Sequence, residues 1–389
     1  MNRCKKPIQR AAVTSLCFVI ALATIVLVRR SGAASSKFSA VPIWEYAIPA
    51  NLQGIIDDVA ILPGDSQVVA TTPNAVLSVG VANEFVLRFA LGPGRSAVIA
   101  AEGSRVGIFT HDRDRVVRFE VTDLSGATLT QVWSAEHFHY RLAPKGDSIV
   151  GIDSGGASLP FEADHFVYRF FDSSGSSRGE VQSPGPQPKD SDYTPDGTCF
   201  LISNAQGLSS YSVADASLRW RISKKVKFFA PAVGTTDEVV ASDDRQRNLA
   251  ELYQAGQLRW GYTLADNVRN LGISPSGGFV LASDAKTLRA FGSNSSEPIW
   301  SFTVPNSHLS INSVAVNDLG VVALGAQHDS LGSGTVFILD PTGTEIFSKE
   351  TAHTLSNAWI PVVQFDAMGG YCLIRTLEVM TMISISSHD

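Results

Sequence analysis

The residues best suited to chemistry in this chain are two imidazoles. His137 and His139 flank Phe138. On a strand, residues two apart share a face, so this pair with His111 or Asp112 has the makings of a metal site. An ordinary polar rim uses the same residue types, and no metal is expected. Glu162-Ala163-Asp164-His165 puts two carboxylates beside an imidazole, but general acid–base work also needs a pocket and a partner. HDRDR (His111 to Arg115) and SDDRQR (Ser242 to Arg247) would suit an ionic ligand and suit a solvated turn with local ion pairs better. KKVK (Lys224 to Lys227) reads as a solvated strand edge. No nucleophile elbow, phosphate-binding loop, zinc-protease or dinucleotide signature is present. No catalytic residue, metal ligand or cofactor is therefore assigned.

The segments that carry these residues repeat. Trp220, Trp260 and Trp300 stand 40 residues apart in the contexts LRWRI, LRWGY and PIWSF. With Trp44, Trp133 and weaker equivalents near Phe89, Val181 and Phe347, they divide the body into eight units of roughly 40–48 residues, the length of a four-stranded propeller blade. A hairpin signature keeps the same period. It recurs in AILPGDSQVVAT, RLAPKGDSIVGI, DYTPDGTCFLIS, GISPSGGFVLAS, AVNDLGVVALGA and QFDAMGGYCLIR. Where Pro is present it sets the first turn torsion, and Gly supplies the positive φ that closes the turn. A second polar turn precedes the outer strand in FEVTDLSGATLTQVW, YSVADASLRW, LYQAGQLRW and FILDPTGTEIF. Apolar runs of about five residues broken by Gly or Pro argue against helices in the body.

Composition agrees. Of 389 residues, 44% are hydrophobic and only 17% charged, with 32 Gly and 18 Pro; this is a turn-rich, β-leaning profile. The first 30 residues hold six of the 31 basic residues and no acid, which leaves 25 basic against 37 acidic in the remainder. An acidic body of this kind lacks the basic face that counterion release demands, so nucleic acid is not an expected partner. Cys4 and Cys17 lie in the N-terminal segment and Cys199 and Cys372 in the body. That is too few for a disulfide scaffold, and pairing of the last two is left open.

Ala11 to Val28 is 18 residues without a charge, near the lower limit for spanning a bilayer. Four basic residues precede it and Arg29-Arg30 follow it. The reading is a basic cytoplasmic tip and signal anchor over 1–30, a linker over 31–37, and a propeller over 38–389 on the extracytoplasmic side. A cleaved signal peptide, with secretion, is the alternative. PGPQPKDSD (Pro184 to Asp192) reads as a surface loop, and Asn294-Ser295-Ser296 is a glycosylation sequon.

The spacing of an apolar pair, Asp, Gly and a following Trp resembles the repeat of quinoprotein-type (PQQ-like) β-propellers. The Pro-Asp-Gly-Thr turn is similar to that of WD-like and YVTN-like propellers. This resemblance implies that Trp44, Trp133, Trp220, Trp260 and Trp300 are structural, each tying one blade to the next. The quinoprotein dehydrogenases carry a vicinal Cys pair and calcium-binding acids, and no vicinal pair exists here. The expectation is an all-β propeller of eight four-stranded blades, with seven as the alternative. The last unit lacks its Trp-bearing strand, and the first has one to spare in PIWEYAIP (Pro42 to Pro49), a near copy of PIWSFTVP (Pro298 to Pro305). That strand is expected to pair with the C-terminal unit. Function is read as a membrane-tethered, non-catalytic scaffold for a protein partner or ligand at the rim. The alternative is a propeller lyase, hydrolase or quinoprotein-type oxidoreductase with its site in the central channel.

Overall fold

The computed structural model describes residues 37–47, 58–62, 67–80, 85–91, 95–100, 104–112, 115–125, 128–133, 137–153, 165–184, 190–204, 206–232, 237–328, 333–352, 361–366, 368–376 and 379–388. The basic tip, the apolar stretch and the linker of the first 36 residues lie outside them, as do Cys4 and Cys17. Every regular element among the described residues is a β-strand, and the strands form eight four-stranded antiparallel sheets. Blades one to seven span 58–90, 95–133, 137–184, 190–222, 226–263, 270–303 and 309–352. Each uses four consecutive strands, here called a to d from the centre outward. Blade eight takes a, b and c from 362–387, and its fourth strand is Phe38–Ala47. That strand runs antiparallel to Val379–Ser387, from Phe38 opposite Ser387 to Ala47 opposite Val379.

The repeat is less even than the tryptophans suggest. Strand a of blade four starts 53 residues after that of blade three, and strand a of blade five only 36 later. The second strands Val68–Thr72, Ile149–Asp153, Cys199–Asn204 and Glu238–Asp243 are buried along their whole length. A sheet covered on both faces by its neighbours needs unbroken apolar runs, not alternation. The outer strand Pro298–Thr303 alternates between half-buried and exposed residues.

Eight hydrophobic clusters hold the blades, and each straddles two consecutive ones. Ala60, Val69 and Val76 of blade one meet Ala97, Ile99 and Val106 of blade two. Trp44, Leu373, Met380 and Met382 of blade eight meet Val59, Ile61, Val68 and Ala70 of blade one. Burying a side chain of this size contributes about 1.5–3 kcal/mol.

A β-bulge recurs in every pairing of strands c and d. In blade six Ala290 opposes Trp300 and Phe291 opposes Pro298, so Ile299 is the extra residue. In blade eight Met382 opposes Trp44 and Ile383 opposes Pro42, so Ile43 is the extra residue. Pro42–Ala47 and Pro298–Thr303 therefore make the same structure: a bulge at the Ile, with the Trp just after it turned into the next blade.

Candidate interaction face

Antiparallel blades of this kind have two ends. The a–b and c–d turns form one, here the lower face; the b–c loops and the crossovers to the next blade form the upper face. Because Phe38 stands opposite Ser387, the last residue of its strand, the described chain enters at the lower face.

The lower face is given to architecture. Trp260 Nε1 donates to Ser293 O at 3.1 Å, and Trp300 Nε1 donates to Pro341 O at 2.9 Å; each acceptor sits in the c–d turn of the following blade. A Cβ on Gly343, whose φ is +83°, would stand 2.7 Å from the Trp300 ring. Glycine is required there for its torsion and for the approach of the indole. The a–b turns interlock similarly: Asn317 Nδ2 donates to Gly369 O, and Ser276 N–H donates to Asp318 Oδ1. Arg259, the bulge residue of blade five, donates to Asn294 Oδ1 at 3.0 Å. Asn294 itself is exposed.

The upper face of blades five and six carries the charge. Asp243 ends strand b of blade five and caps its own loop: Oδ1 accepts from the N–H groups of Arg245 (2.6 Å) and Gln246 (2.9 Å). Its Oδ2 takes the Lys224 ammonium at 2.6 Å, and the same ammonium reaches Glu251 at 2.9 Å. Tyr253 donates its hydroxyl to Glu251 at 2.9 Å. Burial pushes the Asp243 carboxyl up, but Lys224 and the two loop N–H groups outweigh it and hold it below the usual carboxylate range. Lys224 loses by burial and gains more from Asp243 and Glu251, so its pKa rises. Burial and the neighbouring Glu251 raise Tyr253. In blade six Asp284 repeats the cap: Oδ1 accepts from Lys286 and Thr287 N–H, and Oδ2 from Arg289 at 3.1 Å.

The KKVK and SDDRQR segments, 18 residues apart, thus meet in one ion cluster. Strand a of blade five, Val226–Pro231, ends its sheet on the inner side, so KKVK leads into an inner edge strand. His111 lies on strand b of blade two, opposite Val116. His137 and His139 lie on strand a of blade three, where the register shifts between them, which interrupts the alternation that would align them. The side chains of these three, and of Trp133, lie outside the described structure. Glu162 to Asp164 and most of PGPQPKDSD lie outside it as well. Among the described residues no three His, Cys, Asp or Glu gather at metal-binding distance. Cys199 and Cys372 are buried, free and in different blades.

At the centre, one level of the innermost strands is nearly neutral. One residue before the a–b hairpin closes stand Ala60, Val98, Ala230, Gly272 and Ala315. Gln364 fills the eighth blade's place. Only Arg141 and Asp192, in neighbouring blades, are charged there. Asp58, at the upper end of blade one, accepts from Ile99 N–H at 2.8 Å across the seam. Its burial raises it, and the N–H groups of Ile99 and Val59 with Arg375 and Arg141 offset this in part.

The fold matches those of solved propellers. The C-terminal WD40 domain of Sif2 superposes with a TM-score of 0.62 at 11% identity, covering 90% of this chain and 99% of that one. Sqt1 of Saccharomyces cerevisiae gives 0.60 at 10%, covering 90% and 100%. The Dos1 propeller gives 0.58 at 12%, covering 89% and 95%. At such identities the likeness is one of fold. No family model and no curated protein matches the chain.

Proposed function

We propose that this protein is a non-catalytic interaction scaffold, an eight-bladed propeller that presents its upper face to a protein partner. One contrast supports the reading. One level of the innermost strands offers a single acid and a single base among small or neutral residues. The upper face of blades five and six displays charge on short loops held by internal caps. An enzyme of this fold needs chargeable groups converging in the channel. Fold likeness to a WD40 domain fits the scaffold reading.

Three finer readings belong to the same proposal. The stretch from Ala11 to Val28 anchors the chain, with the propeller on the extracytoplasmic side; six flanking basic residues support this. The strand Phe38–Ala47 seals the ring by completing blade eight. The repeat is of the quinoprotein-like type, with its tryptophans as blade ties and without the cofactor.

Crosslinking of the full chain in cells, followed by pull-down, is expected to recover discrete protein partners. Recovery no richer than that of a variant lacking 38–47 refutes the scaffold reading. Protease added to intact cells or spheroplasts is expected to digest the body; digestion only after lysis refutes the extracytoplasmic placement.

A further inference from the structure

Most described cations of the propeller have a partner. Arg118 binds Glu120, Arg219 binds Asp237 at 2.8 Å, and Arg289 binds Asp284. Lys286 donates to the carbonyls of Ser307 and Leu309, and Arg105 to that of Gly146. Lys37, Arg141 and Lys145 are exposed exceptions elsewhere in the fold, and four further cations stand together. The exposed side chains of Lys225, Arg245, Arg247 and Arg269 make no ion pair or hydrogen bond among the described residues.

These four stand on one platform. Asp244 N–H donates to Lys225 O at 3.0 Å, which ties the crossover into blade five to the b–c loop. Val268 N–H donates to Arg247 O at 2.8 Å, which ties that loop to the crossover into blade six. Arg269 N–H donates to Ser283 O at 2.7 Å, and Asn248 Nδ2 to Leu264 O at 3.2 Å. Asp243 caps the loop from beneath while its charge is met by Lys224. The acids left at the surface are Asp244, half-buried, and Asp266, whose carboxylate takes Asn267 N–H. The platform is therefore rigid and cationic, on a body that carries a net excess of acid.

We propose that the upper face of blades five and six binds an acidic polypeptide segment, whose carboxylates pair with Lys225, Arg245, Arg247 and Arg269. Three of the four are arginines, whose planar forks match carboxylates two bonds at a time. Fixed loops lower the ordering cost of binding. A protein segment is chosen over a bilayer because the platform is a local group of four cations with Asp244 and Asp266 beside it, not a broad basic face. It is chosen over nucleic acid because the surrounding acidic body repels a polyanion longer than the platform. The proposal rests on the scaffold reading and gives its partner a chemistry.

The test uses the full chain in detergent and a fluorescent twelve-residue peptide rich in Asp and Glu. Binding is expected, weakening as salt rises through the physiological range. The quadruple variant Lys225→Glu, Arg245→Glu, Arg247→Glu, Arg269→Glu is expected to bind on the order of tenfold more weakly or worse. Lys145→Glu, in the a–b turn of blade three on the lower face, is expected to bind as the parent does. Thermal melts of all variants confirm the fold, and Arg245→Gln with Arg247→Gln gives a milder check if the quadruple variant unfolds. Unchanged binding by a folded quadruple variant overturns the proposal. So does tighter binding of phosphatidylglycerol vesicles or of a DNA oligonucleotide than of the peptide. If the cellular partners persist on the quadruple variant, the platform is wrong and the scaffold reading stands.

Discussion

Ring contacts fill seams on both sides of this propeller, and one side adds a repeated hydrogen bond to them. Between blades five and six and between six and seven, one device repeats: an indole just after a bulge, donating to the next blade's c–d turn. Between blades two and three and between three and four, rings pack on rings. Phe119 stacks on Tyr140 with centroids 4.9 Å apart and planes 5° apart, and Phe170 meets Phe200 edge-on with centroids 6.0 Å apart. Both solutions bury large apolar area between sheets. The first needs a fixed residue at a fixed place; the second needs only enough ring volume from several strands. A seam of the first kind leaves a period in the sequence, and a seam of the second kind does not.

The largest expected effect comes at the seam where the chain's two described ends meet. Deleting 38–47 removes Trp44 from its cluster with Val59, Ile61 and Val68, and leaves the strand Val379–Ser387 unpaired on one side. The variant is expected to lose its single cooperative thermal transition, or to melt many degrees lower. A melt superimposable on the parent's would mean that blade eight stands without its fourth strand. The smaller lesion Trp44→Ala is expected to cost about 3–5 kcal/mol in chemical denaturation, typical of a large core truncation.

Next comes the glycine beneath the indole. Gly343→Ala places a methyl 2.7 Å from the Trp300 ring at a residue with φ of +83°. Strain and overpacking together are expected to cost about 2–4 kcal/mol. Gly197→Ala, at a residue with φ of +74° whose added methyl would meet Pro144 Cδ at an ordinary 3.4 Å, is the matched control and is expected to show the cost of the torsion alone. Equal costs at the two sites would show that the indole gives way, and the seam would then be softer than its hydrogen bond implies.

The comparison also explains what was legible in the sequence. The alike contexts of Trp220, Trp260 and Trp300 mark one register position, and Phe89 and Phe347 occupy it in blades one and seven. Trp133 does not. In blade two that position is held by Thr130, and Trp133 stands three residues on, opposite Arg118. Val181 likewise stands two residues past the position held by Gly179. A tryptophan counts in a periodic scan whatever its register, so spacing alone misplaced these two. The a–b turns of blades two and five, at Ala100–Arg105 and Ala232–Glu238, contain no Pro and do not stand out in the sequence. The ion cluster was out of reach for another reason. Lys224, Asp243 and Glu251 sit on different segments, and only pairing of the strands brings them together.

Within the regular arc one tryptophan is an exception. Trp220 is buried in the seam between blades four and five, and its Nε1 has no hydrogen-bond partner among the described residues. Replacement by Phe removes an unpaired donor there but strands Pro341 O when made at Trp300. Trp300→Phe is expected to cost about 1 kcal/mol more than Trp220→Phe, the net value of one hydrogen bond, read from paired urea denaturations. If Trp220→Phe is the costlier, a water fills the Trp220 site and the two seams are equivalent after all.

The smallest effect separates two loop caps. In blade four Asn204 Oδ1 accepts from Gln206 and Gly207 N–H, doing without charge what Asp243 does in blade five. Asp243→Asn should therefore keep the cap and lose the attraction to Lys224. The folded protein holds the Asp243 carboxyl below its usual range, so its contribution is present above the unfolded value of about 3.9 and is lost as pH falls through the folded value. At pH 7 the parent is expected to exceed Asp243→Asn by about 1 kcal/mol, a modest figure because Lys224 is over a third exposed and solvent screens the pair. The gap should close below about pH 4, as the carboxylate is titrated. A gap that persists at low pH would assign the difference to the geometry of the cap and leave the ion pair with none of it. Blades four and five would then hold their loops in different ways, despite the shared hydrogen-bond pattern.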